Sequence, residues 1–260
     1  MKHYKVAIIG AGNMGGAIAR GLAHGTYINT NDITVSNPSN GKLEKLKEEY
    51  PDIHVTNNNE QAVNNSDIII LAVKPWKVEE VLIPLRLKSP QILVSVAAGI
   101  SCEDLSHFIS PGTTVVRAIP NTAISELASL TLITTQNASN EETSLLIDLF
   151  NEMGIAIHIE ENNFPAATAL TSCGIAYVFK YVQAAMQAGT ELGIKPKDSM
   201  KMLAQTLKGA AQILLNHPDT HPALEIDKVT TPGGITIKGV NSLEHSGFNS
   251  AIIKAIKESV

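Results

Sequence analysis

Cysteine is nearly missing from this 260-residue chain. Cys102 and Cys173 stand far apart, in a spacing that makes neither a metal site nor a disulfide framework and that fits a reducing compartment. Positive charge is in no surplus either: 20 Lys and Arg face 25 Asp and Glu, for a net charge of −5. Without a basic stripe, nucleic acid is excluded as an expected partner. Long apolar runs are lacking as well. The longest tract, Pro165 to Phe179, is short for a bilayer, contains Thr168, Thr171, Ser172 and Gly174, and ends at Lys180, so no membrane span is expected. No Ser-His-Asp arrangement, paired carboxylates or metal-ligand cluster is visible, and His107, His217 and His245 read as surface or capping residues. Repeats and low-complexity segments are absent too. Met1-Lys2-His3 runs straight into a strand pattern, without the regions of a signal peptide, and the expectation is a cytoplasmic protein.

What is present begins at Tyr4 to Arg20, YKVAIIGAGNMGGAIAR. The apolar run Val6 to Ile9 meets Gly10-Ala11-Gly12-Asn13-Met14-Gly15, and a helical pattern through Ala17, Ile18, Leu22 and Ala23 follows at once. That order is strand, glycine turn, helix. Gly10 permits the tight bend, Gly12 lets a pyrophosphate approach bare backbone, and Gly15 lets the helix pack closely on the strand. Phosphates there would meet unpaired N–H groups and the positive end of the helix dipole. Glycine turns also serve plain strand-to-helix corners, and the position directly after a strand and before a helix is what favours a nucleotide.

Further strands are expected at Asp32–Asn37, Ile53–Thr56 (an edge strand), Ser66–Val73, Gln91–Val96 and Thr113–Ile119, separated by helices at Lys42–Glu49, from Asn57, Trp76–Leu87 and Cys102–Ile109. The Ser66–Val73 run is apolar throughout, as befits a central parallel strand covered on both faces. Strands alternating with helices mean βαβ units and a parallel sheet, with ligands outside the carboxyl ends of the strands. Gly10 to Gly15, Ser36, Lys74-Pro75, Ala97 to Gly99 and Pro120 to Thr122 all fall at such ends. A short strand from Ser129 to Ile133, a helix Glu141–Met153 and a strand Ile155–Ile159 close this part. Everything after Asn162 reads as helix: Ala166–Leu192 as one long helix, then Lys197–Asn216, about Pro222 to Lys228, one ending at His245, and Ser250–Lys257. The expected fold class is therefore α/β: a Rossmann-type doubly wound, mostly parallel sheet over residues 1–160, then an all-helical dimerisation and substrate domain over 161–260. The Ala166–Leu192 tract is apolar on nearly all sides. It implies an obligate oligomer with intertwined helical domains, the alternative being a helix sandwiched within its own domain.

Two stretches bear on chemistry. An NAD site usually places Asp or Glu at the end of the second strand, where it bonds the ribose hydroxyls and repels a 2′-phosphate. Here that place is Ser36-Asn37-Pro38-Ser39, with no acid and with Lys42 shortly after, which tilts toward NADP(H) and leaves NAD(H) open; Ser36 is equally readable as a turn residue. The other stretch is Thr231-Pro232-Gly233-Gly234-Ile235-Thr236, where proline and paired glycines lead into a helix and expose several N–H groups in one direction, a nest suited to a carboxylate. A loop with threonine as a helix cap is the plainer reading of it.

Taken together, the motifs GAGNMG, AVKP (Ala72 to Pro75), AAG (Ala97 to Gly99), RAIPNT (Arg117 to Thr122), AYVF (Ala176 to Phe179) and above all TPGGITIKGVNSLEHSGF (Thr231 to Phe248) resemble the pyrroline-5-carboxylate reductase family. The resemblance spans nearly the whole chain in the right order. It implies the last step of proline synthesis, with hydride passing from NADPH or NADH to the C=N carbon of pyrroline-5-carboxylate, and an interleaved dimer that can assemble into rings. Carried onto this sequence, it implies that Gly10, Ala11, Gly12, Asn13, Met14, Gly15, Ser36, Asn59, Ala72, Val73, Lys74, Pro75, Ala97, Ala98 and Gly99 hold the cofactor. Thr231, Gly233, Gly234 and Thr236 would hold the substrate, with the Thr236 hydroxyl on the ring nitrogen. A cyclic imine is already electrophilic, so the missing His or Lys base is no obstacle. The chain departs from the family at Ser172-Cys173-Gly174-Ile175, where a Gly-Ser-Gly-Pro or Gly-Ser-Ser-Pro run is usual; without the proline the helix is expected to run on. Two other readings are a reductase of another small carboxylate (a β-hydroxyacid or related cyclic imine) and an NADP-binding regulatory homologue with weak turnover. Against the first, the long Ala166–Leu192 helix offers only Lys180, well inside it, where β-hydroxyacid enzymes use a lysine at the start of the helical domain.

Overall fold

The computed structural model describes residues 3–260. The expected strand, glycine turn and helix form as β1 (Val6–Ile9) and α1 (Asn13–His24). They are followed by β2 (Ile33–Ser36), α2 (Asn40–Glu49), β3 (His54–Thr56), α3 (Asn59–Val63) and β4 (Ile68–Leu71). Then come α4 (Val78–Leu85), β5 (Ile92–Ser95), α5 (Cys102–Ser106), β6 (Thr114–Ile119), β7 (Ser129–Gln136), α6 (Asn140–Asn151) and β8 (Gly154–His158). The helical remainder is α7 (Phe164–Thr171), α8 (Gly174–Glu191), α9 (Pro196–Asn216), α10 (Pro222–Val229), α11 (Ile235–His245) and α12 (Phe248–Lys257).

The eight strands of the described residues form one sheet in the order β3-β2-β1-β4-β5-β6-β7-β8, with β3 at an edge as its alternating pattern suggests. β3 to β6 run parallel, β7 turns antiparallel to β6, and β8 is parallel to β7. The register matters for function. Ile9, Ser36, Leu71 and Ser95 lie in one row across the sheet, with Ser95 opposite Arg117. The residues that follow them therefore leave the sheet along one edge. β1 and β4 are fully buried, and their alternate residues feed two cores: Val6, Ile8, Ile68 and Ile70 on one face, Ala7, Ile9, Ile69 and Leu71 on the other. Continuous apolar runs are the pattern for strands covered on both sides.

Several elements differ from the sequence reading in their bounds or number. The helix expected from Trp76 to Leu87 begins instead as a single 3-10 turn at Pro75–Lys77, and α4 ends at Leu85 where Arg86 turns left-handed (φ 47°). β7 extends to Gln136, because its antiparallel pairing with β6 continues to Val115. The single helix expected over Ala166–Leu192 is two, α7 and α8. The backbone at Ser172 and Cys173 keeps helical angles, yet Ala176 N–H bonds the Cys173 carbonyl three residues back instead of continuing the four-residue ladder, and the Ser172 hydroxyl bonds the Pro120 carbonyl at 2.8 Å. The chain divides into two compact units at this joint, one ending at Ser172 and the other running from Cys173 to Val260.

Within the second unit α8 packs along α9. Gly189 lets them approach, since a Cβ there would stand 2.6 Å from Ser199 Oγ. The Tyr177 hydroxyl, on α8, bonds the Ala255 carbonyl at 3.3 Å and also meets Ser259 Oγ, which fastens α12.

Candidate functional site

The glycine turn is built as its composition requires. Gly10 sits at φ +105°, and a Cβ there would lie 2.5 Å from the Ala72 carbonyl oxygen. A Cβ on Gly15 would come within 1.9 Å of the Gly10 carbonyl oxygen and 3.0 Å of Ala72 Cβ. These two glycines hold β1, α1 and the end of β4 in contact. Gly12 is different: nothing lies within 4 Å of the position its Cβ would take. Space is left open just where α1 begins, with Gly12 as its N-cap, no side-chain cap and no acidic residue in the first turn. By contrast α5 and α6 start with full capping boxes, Ser101 with Asp104 and Ser139 with Glu142. An open, acid-free helix start at a glycine turn is a place for phosphate.

The neighbouring strand ends complete this edge. Ser36 is fully buried, and its hydroxyl donates to Asn59 Oδ1 at 2.5 Å, joining the end of β2 to the start of α3. Ala72 N–H donates to the Ile9 carbonyl at 2.9 Å, after which Val73, Lys74 and Pro75 leave the sheet into the 3-10 turn. Ala97 is buried, Ala98 and Gly99 are exposed, and Gly99 is left-handed (φ +75°). The residue set read from the sequence for the cofactor thus stands along one edge of the sheet. No carboxylate lies at the β2 end, where residues 36–39 are Ser, Asn, Pro and Ser.

Two features of this unit escaped the sequence reading. Asn37 Oδ1 accepts the Ala11 N–H at 3.0 Å, a contact whose one sequence signal is an asparagine directly after a strand end. The other is a half-buried ion pair, Arg117 Nη1 to Glu161 Oε1 at 2.6 Å, in which Arg117 also lies 4.7 Å over the Phe164 ring. The same Glu161 oxygen accepts the Cys102 N–H at 3.0 Å. Partners 44 and 59 residues apart leave no local pattern to read. Burial, with the Glu161 charge beside it, pushes the Cys102 thiol up to about 11, which leaves it an inert packing group.

Thr231 to Thr236 belong to the second unit. Gly233 is left-handed (φ +72°), Gly234 N–H donates to the Thr231 carbonyl at 3.0 Å, and a Cβ on Gly234 would meet Thr231 Oγ1 at 2.7 Å. The turn therefore requires both glycines. α11 starts at Ile235 with Gly234 as N-cap, no side-chain cap and no acid in its first turn. Thr236, its second residue, is exposed. Thr236 therefore does not cap the helix, and the first-turn N–H groups stay available.

Comparison with known proteins bears on both units. Residues 161–260 match the family model described as pyrroline-5-carboxylate reductase dimerisation, and residues 5–99 match that described as NADP oxidoreductase, coenzyme F420-dependent. Pyrroline-5-carboxylate reductase 1 of Dictyostelium discoideum is 38% identical across 98% of this chain, which spans 48% of that protein's length. Pyrroline-5-carboxylate reductase 2 of the same organism is 36% identical across 96% of this chain and 89% of its own. The chain belongs to the pyrroline-5-carboxylate reductase family. The family's crystal structure from Plasmodium falciparum, with NADP bound, superposes with a TM-score of 0.89 at 27% identity, covering 100% of this chain and 96% of that one. Membership makes this protein an oxidoreductase of the NAD(P)-dependent type, and places the family's self-association element in its helical part. Among the described residues no helix is long and apolar enough to cross a membrane, and no cluster of His, Cys, Asp and Glu could hold a metal ion.

Proposed function

We propose that this chain reduces L-1-pyrroline-5-carboxylate to L-proline, the last step of proline biosynthesis, using NADPH by preference and NADH as the substitute. The observation that carries the cofactor half is the open space at Gly12 over the uncapped, acid-free start of α1. Gly10, Ala11, Gly12, Asn13, Met14 and Gly15 take the phosphates. Ser36, Asn59, Ala72 to Pro75 and Ala97 to Gly99 line the rest of the nucleotide's path. The lack of a carboxylate at the β2 end favours the 2′-phosphate. A reduced nicotinamide bound there supplies a hydride. The chain's own part is to hold the substrate: Thr231, Gly233 and Gly234 present backbone N–H groups to its carboxylate, and the Thr236 hydroxyl donates to the ring nitrogen. As the new C–H bond forms, the C=N π pair moves onto nitrogen, which a proton converts to the amine of proline. A hydrogen bond at nitrogen stabilises that developing charge without a separate base.

Residues 1–160 act as the dinucleotide-binding domain and 161–260 as the dimerisation and substrate domain. Two subunits interleave through their helical parts, and dimers can assemble further into a ring. Two free cysteines, Cys102 and Cys173, suit a reducing, cytoplasmic setting.

The test is NADPH oxidation by purified protein with pyrroline-5-carboxylate, repeated with NADH and with β-hydroxyacids run in the reverse direction. Turnover of the imine is expected. Turnover of a β-hydroxyacid alone would replace the substrate, and tight NADPH binding without turnover would favour a regulator. Thr236→Ala is expected to lower kcat by roughly a hundredfold while the NADPH Kd stays within about twofold. Equal loss in both would count against its role at the ring nitrogen.

A further inference from the structure

The turn proposed to hold the pyrophosphate is itself held from outside. Gly10 N–H donates to the Ser36 carbonyl at 2.7 Å, and Ala11 N–H donates to Asn37 Oδ1 at 3.0 Å. The other end of the same amide, Asn37 Nδ2, donates to the Ser39 carbonyl and to Ser39 Oγ, each at 3.0 Å. The Asn37 backbone is pinned on both sides as well: its N–H donates to the Thr56 carbonyl at 3.2 Å, and its carbonyl accepts from Asn57 Nδ2 at 2.9 Å. Ser39 is the N-cap of α2, yet its side chain makes no cap bond. Its hydroxyl is engaged by Asn37 instead, and the first turn of α2, which includes Lys42, is left uncapped and without an acid.

We infer that Asn37 is a positioning residue that sets nucleotide specificity, one amide tying the turn for the pyrophosphate to the turn that meets the ribose 2′ substituent. This rests on the cofactor reading above. A primary amide of this length has an acceptor for Ala11 and donors for Ser39 at once. Aspartate would keep the acceptor, lose both donations, and set a negative charge against a 2′-phosphate. Leucine, of similar size, would lose both functions without adding charge.

Nucleotide binding without substrate tests this, by calorimetric titration of NADPH and NADH into the full chain. Asn37→Leu is expected to weaken NADH by roughly tenfold and NADPH by several times more, while Asn37→Asp keeps NADH within about threefold and weakens NADPH by roughly a hundredfold, inverting the preference. Ser39→Ala, which leaves the Ala11 contact alone, is expected to weaken NADPH only. Thermal unfolding of the nucleotide-free variants separates folding from binding. The proposal is overturned if Asn37→Leu binds both nucleotides as the parent does, or if every variant loses both by one common factor. Should Asn37→Leu not fold, a Ser39→Ala that leaves NADPH untouched overturns it on its own. A parent protein that binds neither nucleotide would sink the cofactor reading itself, a result distinct from all of these.

Discussion

At the scale of single residues, three glycines in one turn do different work, and substitution should separate them. Gly15→Ala forces a Cβ to within 1.9 Å of backbone, a contact that cannot be relieved without moving α1. It should cost stability by about 2 kcal/mol or more, seen as a lower denaturation midpoint. Gly12→Ala meets open space and should leave stability within about 0.5 kcal/mol, while its methyl group, set where a pyrophosphate would lie, sharply weakens NADPH binding. A destabilised Gly12→Ala with normal binding would reverse the assignment. Cys102 gives a pH signature. Its ordinary value is 9.0 and the fold raises it to about 11, so above pH 9 the unfolded chain releases a proton that the folded one keeps. Its contribution to stability is intact below pH 9 and fades as the pH climbs toward 11. Denaturant midpoints across that range should fall more steeply for the parent than for Cys102→Ala. Alkylation at pH 8 should modify Cys102 only once urea has unfolded the chain.

Among the elements, the joint between α7 and α8 falls at Ser172 and Cys173. The run Ser172-Cys173-Gly174-Ile175 contains no proline, and composition alone predicts an uninterrupted helix there. The Ser172 hydroxyl bonded to Pro120 is instead an anchor from the helical tract to the end of β6. Ser172→Ala should lower stability by about 1 kcal/mol, measured by thermal unfolding; an unchanged midpoint would mean the anchor is idle. A few residues before α7, Glu161 holds Arg117 and the start of α5 together. Truncation by Glu161→Ala leaves a mostly buried guanidinium unpaired and should cost about 1–3 kcal/mol, whereas Glu161→Gln, which keeps the hydrogen bonds, should cost less. Neither anchor was legible in the sequence. The partners of Glu161 stand 44 and 59 positions away, and Pro120 lies 52 from Ser172. No periodicity encodes such pairs.

For the whole molecule, α8 shows why the second unit calls for a partner. Its sequence is apolar on nearly all sides, yet Val182 is its one buried residue, and Phe179 is 62% exposed with Val178 and Tyr181 at 45%. A groove of about 860 Å³ runs between α8 and α9, lined by Phe179, Met186, Met200 and Leu207 among others. Apolar surface on this scale is normally covered by protein. Sedimentation at micromolar concentration is expected to show a dimer or a larger assembly, and a stable monomer would remove the interleaved arrangement.

The sequence by itself determined the alternation of strands and helices, the edge along which the glycine turn and its companions lie, and the helical character of everything after Asn162. Those are local facts: periodicity, glycine at strand ends and unbroken apolar runs act over a few residues, and the chain cannot satisfy them in another way. It also carried the family, because Thr231 to Phe248 stand in order. Only the tertiary structure decided how the turn is supported. Asn37 reaches back 26 residues to Ala11, Arg117 finds Glu161, and Ser172 meets Pro120. Each is a polar group that takes the partner folding brings within reach, and sequence neighbours say nothing about which partner that is.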